Sequence, residues 1–136
     1  MNPPATDLEL VDALAQRLRG LPSPPSQPFT VHDNIYIFNN NPSYLYDMYG
    51  GGEDCVYFFC NPAFSNQDGW KVAAGTQGIL DGGGGAVMGW KHMLVFHESR
   101  WLPRIRWAMD EFVANYQEAF KLSSDSMRLY RLHRPA

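Results

Sequence analysis

Apolar side chains recur at three- and four-residue spacing near the start of the chain, where Leu8, Val11, Leu14, Ala15 and Leu18 line one face of a helix. Thr6-Asp7-Leu8-Glu9 precedes that face with the Ser/Thr-x-x-Glu spacing of a capping box. Gly20 and Pro22 supply the stop, so the pattern predicts a helix over 7–19. Pro22, Pro24, Pro25 and Pro28 then make an extended segment, read as a connector over 21–30. A ligand for a proline-binding groove is the alternative reading.

Asn34-Ile35-Tyr36-Ile37-Phe38 reads as a short ordered piece ended by a turn at Asn39-Asn40-Asn41-Pro42, after which Tyr44, Leu45 and Tyr46 pack locally. Gly50-Gly51-Gly52 breaks the chain. Cys55-Val56-Tyr57-Phe58-Phe59-Cys60 is an apolar run of strand length stopped by Asn61-Pro62, and it predicts a buried strand. Two further strands are expected at 70–74 and 86–97, joined by a flexible loop that carries the glycine run 82–85.

From Arg104 onward two periods compete. Met109, Phe112, Val113, Tyr116 and Phe120 fit a helix, whereas Ile105, Trp107 and Met109 alternate as in a strand; periodicity by itself favours the helix. Met127 to His133 reads as a final edge strand with Arg128, Arg131 and Arg134 spaced along it.

The composition, 45% hydrophobic and 14% aromatic, is that of a folded chain, and its 136 residues suit one domain. No apolar run reaches membrane-spanning length, and the first residues lack the basic and apolar regions of a secretory signal. With two cysteines the chain has too few for a disulfide scaffold, which suits an intracellular protein. Charge changes the picture more. Residues 1–89 hold three Lys/Arg against nine carboxylates, and residues 90–136 hold eight against five. Only the C-terminal third is suited to an anionic partner, and the overall net charge of -3 argues against tight DNA binding, whose affinity comes largely from neutralising phosphates.

Motif chemistry is sparse. The glycine run is followed by Ala86-Val87-Met88 and not by the Lys and Ser/Thr of a phosphate loop. Cys55 and Cys60 differ in strand parity, as do His92 and His97, so neither pair converges on one metal. Adjacent Asp110 and Glu111 diverge in any regular element and are expected to be solvated or salt-bridged. No nucleophile elbow is present, and neither cysteine has a motif neighbourhood of activation. These residues carry no catalytic, cofactor or metal signature. Lys91, His92, Arg100, Arg104 and Arg106, interleaved with Trp90, Trp101 and Trp107, have the residue types of a nucleic-acid surface, although composition alone favours an ordinary solvated face above an aromatic core.

Taken in order, the segments resemble the NAC domain, the DNA-binding domain of a family of plant transcription factors. Pro4-Ala5-Thr6-Asp7-Leu8-Glu9-Leu10 resembles that family's Pro-Thr-Asp-Glu-Glu-Leu helix start, and Ile35-Tyr36-Ile37-Phe38 its Ile-Tyr-Lys-Phe. Val56-Tyr57-Phe58-Phe59 with Pro62 is similar to Trp-Tyr-Phe-Phe-Ser-Pro. Gly69-Trp70-Lys71 stands where the family has Gly-Tyr-Trp-Lys-Ala-Thr-Gly, and Lys91-His92-Met93-Leu94-Val95-Phe96-His97 resembles Lys-Lys-Thr-Leu-Val-Phe-Tyr. Trp107-Ala108-Met109-Asp110-Glu111-Phe112 is similar to Trp-x-Met-His-Glu-Tyr, and Leu129-Tyr130-Arg131-Leu132 to Leu-Cys-Arg-Ile.

The resemblance implies an α+β fold: a twisted antiparallel β-sheet flanked by a few helices, in a single domain over 1–136 with the sheet mainly over 54–134. It turns 104–113 into a strand, with a helix at 114–121. It also implies a nuclear transcriptional regulator that inserts its Trp-Lys strand into the DNA major groove. The nucleic-acid-binding candidates are then Trp70, Lys71, Lys91, Arg100, Arg104 and Arg106, and Glu9 stands at a dimer-interface position. Departures fall on the contact residues: Asn61 to Gly69 is short and has no Lys or Arg, Val72-Ala73-Ala74-Gly75 replaces Ala-Thr-Gly-Lys, and the arginine that pairs with the Glu9 position is missing. The expectation is weakened or lost DNA binding, with association with other NAC proteins or an unrelated protein as the alternative. No activation region is expected after Ala136.

Overall fold

A computed structural model describes residues 4–22, 27–61, 69–73, 75–96, 107–115 and 127–134. Helix α1 spans Asp7–Leu18, and its capping box forms as the sequence dictates: Glu9 N–H donates to Thr6 Oγ1 (3.1 Å) and Thr6 N–H to Glu9 Oε1 (3.0 Å). Gly20, at φ +76°, turns the chain out of the helix in a conformation that favours glycine. Strand β1 (Val31–His32) and a single 3-10 turn (Ile37–Asn39) follow the connector, whose residues 23–26 lie outside the described ones.

A second helix, α2 (Pro42–Tyr49), occupies the stretch expected only to pack locally. Its start signal is Asn41-Pro42: Asn41 Oδ1 accepts from Ser43 N–H at 2.9 Å, and proline at the first helical position loses no hydrogen bond. With eight residues it is too short to show a period, so the cap was the available signal.

The remaining strands are β2 (Cys55–Cys60), β3 (Trp70–Val72), β4 (Gln77–Leu80), β5 (Val87–Phe96), β6 (Ala108–Ala114) and β7 (Arg128–His133). They form one seven-stranded twisted sheet in the order β1-β2-β7-β6-β5-β3, with β4 also paired to β5. All pairings are antiparallel except β1 with β2, so the sheet is mixed at one margin.

Three expectations need correction. The C-terminal strand is not an edge: β7 lies between β2 and β6, and Leu129, Tyr130 and Leu132 are fully buried because both faces of the sheet are covered. The glycine run does not join the Trp70 strand to β5, since β4 intervenes and the glycines close the β4–β5 hairpin. Nor is that turn unconstrained, because Asp81 Oδ1 accepts from Gly83 and Gly85 N–H at 3.1 and 3.2 Å, and Gly84 takes φ +82°. Of the 104–113 stretch that the resemblance made a strand, 108–113 is one, against its helical period, and the strand runs on through Ala114, where a helix over 114–121 was expected to start; 104–106 and 116–121 lie outside the described residues.

Alternation divides the core in two. Val56, Phe58 and Cys60 point to one face with Leu94, Met109, Tyr130 and Leu132, where Ile37, Phe38 and Leu45 from the 3-10 turn and α2 cover them. Tyr57, Phe59, Phe112 and Leu129 point to the other, beneath Leu10, Val11 and Leu14 of α1. Cys55 and Cys60 accordingly sit on opposite faces, as their parity required. No described helix is long and apolar enough to cross a membrane.

Candidate nucleic-acid interface

β3 is the sheet margin that carries Trp70-Lys71, pairing Trp70 with Phe96, Lys71 with Val95 and Val72 with Leu94. Trp70 is 8% exposed and meets Phe96 edge-on at 5.1 Å, so its indole belongs to the core and positions the strand. Alternation turns Lys71 to the opposite face, where it is exposed and has no ion-pair partner among the described residues. Gly69 precedes the pair at φ +90°, and a Cβ there would press on the Phe96 ring at 3.2 Å, so glycine lets the strand approach that ring.

Between β3 and β4 the outer chain has four residues where β5 has two, since Val72 faces Leu94 and Gln77 faces Lys91. Ala73 N–H still donates to the Met93 carbonyl at 2.9 Å. A polar relay ties Thr76 to the core. Thr76 Oγ1 lies 3.1 Å from His92 Nδ1, His92 Nε2 lies 3.1 Å from Glu111 Oε1, and Tyr130 donates its hydroxyl to Glu111 Oε2 at 2.5 Å. Burial, then the Glu111 charge, pushes the Tyr130 phenol well above its ordinary range, so it stays a donor at any working pH.

The other expected contacts are placed differently. Lys91 Nζ is held at 2.7 Å by Asp7 Oδ2 and anchors the first turn of α1 to β5. That ammonium serves the fold. Arg100, Arg104 and Arg106 lie outside the described residues. Glu9 is exposed, with one carboxylate oxygen committed to the helix cap. The pair Asp110-Glu111 diverges and is salt-bridged, Glu111 to His92 on the α2 face and Asp110 to Arg131 and His133 on the α1 face.

The Asp110 cluster had no sequence signal, because its members meet only through the β6–β7 register. Arg131 reaches Asp110 Oδ2 through Nε (2.9 Å) and Nη2 (2.7 Å), and Nη2 also reaches Asp7 Oδ1 at 3.1 Å. His133 Nε2 lies 2.6 Å from Asp110 Oδ2. Burial would raise the Asp110 pKa, but hydrogen bonds from His133 and Arg131 and their charges hold it below the ordinary carboxyl value. The Asp110 hydrogen bond is the main cause that raises His133 from 6.5 to about 9, against its burial.

A pH dependence follows. The His133 contribution is fully present below pH 6.5, where the histidine of the unfolded chain is also charged, and is lost as pH rises through about 9. The Asp110 contribution is present above the ordinary carboxyl range and lost as pH falls through its depressed folded value. His133 is 37% exposed at its side chain, so screening leaves on the order of 1–2 kcal/mol for its part. Urea unfolding should show the wild type losing that amount between pH 6 and pH 10, with His133→Gln nearly flat over the same range.

Among known proteins, no curated sequence matches the chain. The family model for No apical meristem (NAM) protein matches residues 3–114, from the cap of α1 through the whole of β6. The α+β sheet with helices on both faces, the Trp-Lys margin and this match agree: the chain belongs to the NAM (NAC) family, whose members are generally transcription regulators.

Proposed function

We propose that this chain is a nuclear regulator of transcription, one domain over 1–136, that touches duplex DNA weakly through the β3 margin. The observation that carries this reading is Lys71, exposed on that margin without an ion-pair partner among the described residues, while Lys91 and Arg131 are bound to Asp7 and Asp110. The neighbouring positions Val72 and Ala73 offer no side-chain hydrogen bond to a base edge. Few phosphates are then neutralised, and each contributes a loss of about 0.9 in log K per tenfold rise in salt.

Fluorescence anisotropy against a labelled duplex carrying the family's core site, and against a scrambled one, tests this at about 50 and about 200 mM salt. The expected result is weak binding that declines with salt, reduced on the order of fivefold by Lys71→Ala. No binding by a folded sample at the lower salt overturns it.

Tyr44 and Met48, one helical turn apart on α2, are 48% and 56% exposed, and Tyr36 is 64% exposed. Those apolar positions favour a second reading, a NAC-fold module that associates with another family member or an unrelated protein. Absence of a complex with a full-length family member in size-exclusion chromatography would count against that association.

A further inference from the structure

Cys55 on β2 and His133 on β7 are paired in register, and His133 in turn faces Asp110 on β6. Cys55 Sγ lies 3.6 Å from His133 Nδ1, and His133 Nε2 lies 2.6 Å from Asp110 Oδ2. Thiol, imidazole and carboxylate thus stand in a row across three strands, each ring nitrogen serving one neighbour. That order is the one that makes a cysteine nucleophilic: the carboxylate orients the ring and the ring exchanges the sulfur's proton. A row, unlike a cage, leaves no common point for a cation, and no His/Cys/Asp/Glu group suited to a metal exists among the described residues.

The sulfur is also approachable. Cys55 is half-buried, whereas Cys60 is 6% exposed in the opposite core layer. The described residues leave a cleft of ≈ 490 Å³ against Cys55, walled by Pro28, Phe29, Tyr49 and Tyr57 and bordered by Glu53 and Asp54. Aromatic and proline walls suit an uncharged, apolar molecule, and two carboxylates at the border repel anions. The family motif Trp-x-Met-His-Glu-Tyr has histidine at the Asp110 position, so the orienting carboxylate is a departure of this chain.

We propose that Cys55 is a modification site for small uncharged α,β-unsaturated carbonyl compounds, activated by His133 and Asp110 and reached through this cleft. The thiol proton leaves to water, and the His133 imidazolium, kept charged at neutral pH by Asp110, faces the sulfur through Nδ1–H while the sulfur lone pair forms a bond to the β-carbon and the carbon–carbon π pair moves toward the carbonyl. A proton from His133 then passes to the α-carbon and is replaced from water. The sum is addition of S–H across the double bond, with no oxidant, reductant or further reactant. Charges facing the sulfur are His133, Arg131 and Asp110 from β7 and β6, with Asp7 of α1 behind Arg131. The site lies beside the β1 margin, away from β3, so its test is independent of DNA binding.

N-ethylmaleimide serves as the probe, with peptide mass spectrometry to separate Cys55 from Cys60. At pH 7 Cys55 of the native chain should label at least about tenfold faster than the same residue in the urea-unfolded chain, and His133→Gln should remove most of that advantage. The unfolded reference needs no variant to fold. Native labelling at or below the unfolded rate, faster labelling of Cys60, or an unchanged rate in a folded His133→Gln chain would each overturn the proposal.

Discussion

Replacing Asp110 by alanine is expected to destabilise the fold by about 3–4 kcal/mol, measured by urea unfolding at pH 7. The carboxylate is 6% exposed at its side chain and receives two hydrogen bonds from Arg131 and one from His133. Its removal strands a guanidinium that is itself only 12% exposed, and a buried charge without a partner costs far more than the pair contributes. Arg131 keeps Asp7 at 3.1 Å and the Phe112 ring at 5.1 Å, which places the expected loss toward the lower end of the range for broken buried pairs. For a domain of ordinary stability that is about a fifth or more of the total. Adding Arg131→Met to the Asp110→Ala chain should recover part of the loss, because the stranded charge is then gone. A single-variant loss under about 1 kcal/mol would mean that solvent reaches the cluster and screens it.

How much of this was legible in the sequence depends on the range of the interaction. The capping box, the Cys55–Cys60 strand, and the opposed faces of Asp110 and Glu111 are set within a few residues, and each is found where its local pattern put it. The resemblance supplied the strand at 108–114, because Met109, Phe112 and Val113 also satisfy a helical period and only a partner strand decides between them. Strand β4 was missed since Gln77-Gly78-Ile79-Leu80 has two apolar side chains and is held by β5 rather than by its own propensity. At the candidate interface, Lys71 stands exposed on the margin, whereas Lys91 is held by Asp7, a partner 84 residues away that no local pattern could indicate. Cys55 and His133 are 78 residues apart, and no motif links them. Register created that contact, and composition carried no trace of it.

Gly89→Ala is the second substitution expected to act strongly, with a loss of about 2–3 kcal/mol in thermal or urea unfolding. Gly89 is a buried position of β5 facing α1, where a Cβ would overlap the Val113 carbonyl oxygen and stand 3.0 Å from Val11 Cγ1. Neither neighbour yields readily, since Val113 is fixed in β6 and Val11 is 1% exposed in the helix–sheet layer. Gly78 on β4 is the matched control: it too lies in a strand paired to β5, but nothing stands within 4 Å of its added Cβ, so alanine there should change stability by about 0.5 kcal/mol or less. The Val11→Ala change in the Gly89→Ala background separates the two clashes. It relieves the helix contact and leaves the carbonyl contact, so recovery should be partial. Displacement of α1 also lengthens the Lys91–Asp7 contact two residues along β5, freeing an ammonium that the native fold commits to Asp7. Equal effects of alanine at positions 89 and 78 would show that α1 is not seated on β5 at the distance these contacts require.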